Sequence, residues 1–206
     1  MRALPLIAVV DYGAGNLRSV VRALEHAGAE ARITSDATDL DGAQAIVLPG
    51  VAAAADTMRG LGERGLVDPL LRGIRSGKPF LGLCMGLQAL LTYSDEGGRQ
   101  QCLDVIAGAV HKLPAGLKVP QMGWNQVACR AEHPLLDGIP DGSFFYFVHS
   151  FYAEPADPAV VVATTEYGLR FPAILARDNV FATQFHPEKS GARGLRLYRN
   201  FVRQCC

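Results

Sequence analysis

Lys78-Pro79-Phe80-Leu81-Gly82-Leu83-Cys84-Met85-Gly86-Leu87-Gln88 is the stretch on which the reading of this chain turns. A short apolar run, Phe80 to Leu83, passes through Gly-x-Cys-x-Gly into a second run that begins at Met85. The pattern predicts a buried strand bending sharply into a helix from Met85 to Leu91, with a cysteine at the tip. The glycines carry the steric part. In so tight a turn, a Cβ at Gly82 or Gly86 would crowd the neighbouring strand and helix. At a helix N-terminus the positive end of the dipole favours thiolate over thiol, and thiolate attacks carbonyl carbon. A lone intracellular cysteine is more often a small buried hydrophobe. The paired glycines make Cys84 the candidate nucleophile instead.

Working outward, the first half alternates strands and helices. Leu6 to Val10 reads as a strand covered on both faces. Gly13 and Gly15 break it, and Asn16 caps a helix through Ala27, with Leu17, Val20, Val21 and Leu24 on one face. Ala31 to Thr34 and Ala45 to Leu48 read as strands, and Leu66 to Arg75 as a helix stopped by Ser76-Gly77. This rhythm predicts an α/β fold, an open mostly parallel sheet with helices on both faces. From Val105 to Thr183 the chain is richer in short β-like runs, among them Phe144 to Val148, Val160 to Thr165 and Val180 to Thr183. Arg193 to Val202 closes it as a helix. With no repeat and no linker, residues 1–206 read as one domain.

Composition narrows the partners. Lys and Arg number 20, as do Asp and Glu, so no field of one sign draws in nucleic acid or an anionic membrane. The five cysteines fit neither a disulfide framework nor a zinc site, which points to the cytoplasm and to no metal or cofactor. Cys205-Cys206 reads as an incidental tail. The opening Met1-Arg2 and Leu4 to Val10 lack a cleavage pattern and read as a strand rather than a signal peptide.

A thiolate nucleophile needs an acid for the leaving amine, and histidine suits neutral pH. His26, His111 and His133 read as surface residues, and His149, after the aromatic run, as a satisfied core histidine. His186 differs. It ends an apolar strand in Gln184-Phe185-His186-Pro187-Glu188, where Pro187 breaks the ladder. Residues two apart in extended chain face one way, so Glu188 can orient the ring of His186. The oxyanion of a tetrahedral intermediate needs donors. Met85 N–H is one, and Leu48-Pro49-Gly50-Val51, at the carboxyl edge of the sheet, can supply Val51 N–H as the second.

At this point the residues match a known family. The cysteine elbow and Gln184-Phe185-His186-Pro187-Glu188 resemble the class I (triad) glutamine amidotransferases. Asp11-Tyr12-Gly13-Ala14-Gly15-Asn16-Leu17, Pro120-Gln121-Met122-Gly123-Trp124-Asn125, Tyr146-Phe147-Val148-His149-Ser150 and Lys189-Ser190 are similar to the glutaminase subunits of imidazole glycerol phosphate synthase. The resemblance implies a flavodoxin-like fold and a triad of Cys84, His186 and Glu188 that hydrolyses glutamine through a γ-glutamyl thioester. It implies glutamine contacts from Gly50, Ala52, Gln88, Glu96, Ser150 and Phe151, and no cofactor. It further implies that ammonia passes to a (β/α)8-barrel cyclase subunit, HisF, across an interface holding Asn16, Trp124 and Lys189. The products there are imidazole glycerol phosphate and an aminoimidazole carboxamide ribotide, in histidine biosynthesis.

One loop departs from the family, which usually reads Pro-Gly-Val-Gly-Ala-Phe where this chain has Pro49-Gly50-Val51-Ala52-Ala53-Ala54, with Ala52 in place of the second glycine. If activation turns the loop over, a Cβ there costs about 1–2 kcal/mol in a left-handed conformation. Low activity in isolation and strong stimulation by a liganded partner are expected. The aromatic run also reads as plain core, whereas an exposed Trp124 would suit an interface anchor. Three alternatives stay open: a triad amidotransferase of another pathway, a partnerless hydrolase of the same fold, and a catalytically dead interaction subunit.

Overall fold

Side-chain parity along the first strand shows how the layers form. In the computed structural model, which describes residues 3–13 and 15–205, Ile7 and Val9 point into one core and Ala8 and Val10 into another. Alternation in a strand covered on both sides demands this. Met1, Arg2, Ala14 and Cys206, which the readings above touch, lie outside the described residues.

The strands are β1 (Leu6–Val10), β2 (Glu30–Thr34), β3 (Ala45–Leu48), β4 (Phe80–Leu83), β5 (Tyr93–Ser94), β6 (Gln100–Gln101) and β7 (Gly108–Lys112). They continue with β8 (Gln121–Cys129), β9 (Ser143–His149), β10 (Phe151–Pro155), β11 (Val161–Glu166), β12 (Arg170–Arg177) and β13 (Val180–Thr183). The helices are α1 (Leu17–His26), α2 (Ala37–Gly42), α3 (Ala54–Glu63), α4 (Val67–Arg75), α5 (Met85–Gln88) and α6 (Gly191–Arg203).

The main sheet has nine strands in the order β2-β1-β3-β4-β13-β12-β11-β8-β9. From β2 to β13 the pairings are parallel, and from β13 onward antiparallel. A smaller sheet, β10-β7-β5-β6, packs alongside. Helices α1 and α6 fill one face of the parallel part, while α2, α3 and α4 fill the other. The β-rich second half is thus an antiparallel extension of the same sheet together with the small one. No helix among the described residues is long and apolar enough to cross a membrane.

Three local expectations need correction. The helix after Cys84 is the single turn Met85–Gln88 rather than Met85 to Leu91. Asn16 stands at the start of α1, but its side chain makes no capping hydrogen bond; its backbone carbonyl accepts from Ser19 and Val20 instead. Helix α3 is also present where no helix was read. Its flank, Ala52-Ala53-Ala54, carries no capping side chain. The cap comes from far along the chain, where Glu96 Oε2 accepts the Ala54 N–H at 2.7 Å.

Candidate active site

Cys84 sits at φ 53° and ψ −104° between β4 and α5, a strained conformation for any residue with a Cβ. Backbone packing imposes it. A Cβ at Gly82 would meet Gly86 O at 2.6 Å, one at Gly86 would meet Leu48 O at 1.9 Å, and one at Gly50 would meet Met85 Cβ at 2.5 Å. Strand β3, the elbow and α5 therefore touch backbone to backbone, and only glycine fits at those contacts. A four-residue helix has too few aligned peptides for a full macrodipole, so the dipole contributes little here.

The second half of the site comes from the far side of the same parallel pair. Strand β13 runs beside β4 and leads into Gln184-Phe185-His186. The side chain of His186 is buried, with Nδ1 2.8 Å from Glu188 Oε1. A carboxylate only accepts, so Nδ1 carries the proton and Nε2 faces Cys84. That Nε2 is buried and closes no hydrogen bond within the protein. Burial alone would lower the imidazole's proton affinity. The hydrogen bond to Glu188 and the charges of Cys84 and Glu188 outweigh burial and raise its pKa to about 10. Glu188 reaches His186 from a 3₁₀ turn, Pro187–Lys189, not from the extended chain that alternation presupposed.

That turn is tied down by its neighbours. His186 N–H donates to Tyr146 O at 2.9 Å. The Ser190 hydroxyl donates to His186 O at 2.7 Å and accepts Tyr146 N–H at 3.0 Å. Around the sulfur, the Cys84 thiol lies 3.7 Å from Val148 O, and Gln184 Nε2 lies 3.7 Å from Sγ. Gln88 Nε2 donates to Phe151 O at 2.7 Å and to Gln184 Oε1 at 3.0 Å.

A cavity of about 360 Å³ opens over Cys84 and His186 at the carboxyl edge of the sheet. Val51, Ala52, Met85, Gln88, Glu96, Ser150, Phe151 and Lys189 line it. Gly50 lies beneath Met85 rather than in the wall, and Glu188 stands behind His186. Ala52 has no positive φ, so its Cβ is unstrained in this conformation. Gln184 and His149 also belong to the site and were missed as site residues. His149 is a core histidine, as expected. Its ring packs on Phe147 and Phe171, and its Nδ1 lies 2.8 Å from Phe151 O. Burial pulls it down to about 4, so it stays neutral, yet it lines the cavity as well. His111 and His133 are partly exposed and lie outside the cavity, as does the exposed His26.

Trp124 is 55% exposed, next to Tyr146 on the outward face of β8 and β9, with Met122 and Phe144 also exposed. The Lys189 ammonium lies 5.8 Å from the Tyr146 ring. Alternation divides the aromatic run, since Phe145 and Phe147 are core. Asn16 is exposed at the start of α1, the helix that packs on the 187–189 turn. Among the described residues, no three of His, Cys, Asp and Glu converge as a metal site requires.

A cysteine on a strained strand-to-helix bend, beside a carboxylate-oriented imidazole, is the arrangement that thiol acyl transfer requires. In keeping with it, residues 8–205 match the model of the glutamine amidotransferase class-I family, and the chain belongs to that family. Its fold neighbours include the crystal structure of a glutamine amidotransferase, at TM-score 0.76 and 22% identity, covering 96% of this chain and 98% of that one. PurLQS from Thermotoga maritima aligns at TM-score 0.77 and 20% identity, covering 98% and 99%.

Sequence relatives are more particular. The imidazole glycerol phosphate synthase subunit HisH of Dehalococcoides mccartyi is 50% identical over 198 residues, 96% of this chain and 97% of that protein. The HisH of Halobacterium salinarum is 52% identical over 206 residues, 97% and 93% of the two chains. Within the class I family the chain groups with these HisH subunits.

Proposed function

We propose that this chain is a single-domain, cytoplasmic glutaminase subunit of imidazole glycerol phosphate synthase, working through Cys84, His186 and Glu188. One observation carries the reading. An imidazole oriented by a buried carboxylate at 2.8 Å presents its other nitrogen to a cysteine held on a strained bend, inside a cavity sized for one amino acid.

The thiolate of Cys84 attacks the γ-carbonyl carbon of glutamine, forming an S–C bond. Negative charge gathers on the oxygen, toward the N–H groups of Met85 and Val51. The His186 imidazolium gives its Nε2 proton to the amide nitrogen, the C–N bond breaks, and ammonia leaves. Neutral His186 then takes a proton from water. The hydroxide opens the thioester to glutamate and restores thiolate and imidazolium. Gln88, Glu96, Ser150 and Phe151 hold the substrate's polar ends. Gln88 has its amide nitrogen committed to the protein, so its oxygen is the acceptor it can offer. Ammonia passes to the (β/α)8-barrel cyclase subunit, HisF, whose docking face includes Trp124, Lys189 and Asn16. A half-exposed tryptophan beside a tyrosine and a lysine is the composition of an interface anchor.

The test is glutamate release with and without the liganded cyclase, paired with labelling by a glutamine-mimicking alkylator. Strong stimulation by the partner is expected, with loss of at least about 10³-fold in Cys84→Ala. Equal rates with and without partner would end the coupled role. A label that survives in Cys84→Ala would end the triad.

A further inference from the structure

The closing helix lies directly on the turn that carries Glu188. A Cβ at Gly194 would meet Pro187 O at 1.8 Å and Ser190 Cβ at 3.0 Å, so α6 approaches that turn backbone to backbone. Tyr198 stands one helical turn further on, on the same face of α6. Helical side chains lean toward the helix N-terminus, which here is the direction of the 187–189 turn.

Tyr198 is fully buried, and its hydroxyl closes no hydrogen bond. A buried hydroxyl without a partner is costly, and phenylalanine would fill the same space without that cost. The side chain of Glu188 is equally enclosed. Its Oε1 serves His186, while its Oε2 is also buried and also without a partner. The Tyr198 phenol stands against Glu188. One orphan can donate and the other can only accept, so each supplies what the other lacks.

We infer that the Tyr198 hydroxyl donates to Oε2 of Glu188 and thereby fixes the carboxylate that orients His186. The inference rests on the reading of Cys84, His186 and Glu188 as a glutaminase triad. Tyr198 touches neither substrate nor sulfur and is a positioning residue. Its neutrality suits the place, because a cation there would compete with the imidazolium for the carboxylate. Burial, and after it the charge of Glu188, holds the phenol well above its usual range, so it remains a donor across the working pH. With the second oxygen anchored, the carboxylate plane cannot swing away when His186 gives up its Nε2 proton.

The experiment uses the full chain in complex with the cyclase, comparing wild type with Tyr198→Phe, which removes one oxygen and keeps the ring. Expected is a roughly tenfold fall in kcat, the equivalent of ~1.4 kcal/mol, with KM changed less than twofold. Labelling of Cys84 by iodoacetamide should need a higher pH than in wild type, because a loosened carboxylate supports the imidazolium less. Placing Tyr198→Phe in a Glu188→Gln background should then cost little more than Glu188→Gln alone. Unchanged kcat and labelling in Tyr198→Phe would overturn the inference. So would a second full tenfold loss in the Glu188→Gln background, which would show that the hydroxyl acts elsewhere. A wild-type complex that released no glutamate would sink the triad reading itself, an outcome distinct from either of these.

Discussion

The two halves of the site are held in place by different means. On the Cys84 side, which would supply the nucleophile, β3, the elbow and α5 meet through glycine contacts within a few residues of the sulfur. On the His186 side, which would supply the base, the 187–189 turn hangs from hydrogen bonds to β9 and from the seat it offers to α6. A position fixed by local close packing leaves a signature in consecutive residues. A position fixed by remote partners leaves none.

The largest effect to look for is at the point where the halves meet. Cys84 and Cys102 are about equally buried, at 6% and 7% exposure. Burial, then the charge of Glu96, pushes the Cys102 thiol up to about 11. Cys84 instead faces an imidazolium that persists to about pH 10. Peptide-resolved iodoacetamide labelling at pH 8 should favour Cys84 strongly, since a thiol titrating near 11 is roughly one part in a thousand thiolate there. Equal labelling would mean that the halves do not act on one another.

Gly86→Ala should come next. Its Cβ would run into the rigid Leu48 carbonyl, and we expect about 3 kcal/mol of lost stability from such overpacking. Urea denaturation reads it, and a loss within error of zero would mean the elbow is softer than its contacts indicate. The smallest effect belongs to the base's side. Ser190→Ala removes two hydrogen bonds from the turn and should cost about 1 kcal/mol, yet it should lower kcat by more than that loss explains. Stability and kcat falling in strict proportion would erase the contrast between the two halves.

Legibility followed the same division. The strand into Cys84, the crowding at Gly82 and Gly86 and the parallel order were readable because periodicity and glycine spacing are local. The strand leading to His186 was readable, but Glu188 was placed by the wrong geometry, since a 3₁₀ turn and not an extended chain brings it to the ring. Helix α3 was invisible because Glu96, 42 residues away, supplies its cap. Gln184 and His149 escaped notice for the same reason: each reads locally as sheet or core, and only the assembled fold brings Gln184 to the Cys84 sulfur and His149 to the cavity wall. The antiparallel order from β13 to β9 left no trace that the short β-like runs could show, and Pro172 within β12 masked that strand.

The bend at Cys84 carries a wider consequence. A backbone angle of that kind costs on the order of 1–3 kcal/mol in any residue with a side chain, and glycine would relieve it at once. A glycine at position 84 would therefore give a calmer fold without the sulfur. The scaffold is least at ease at the one place where it holds that atom out to the cavity.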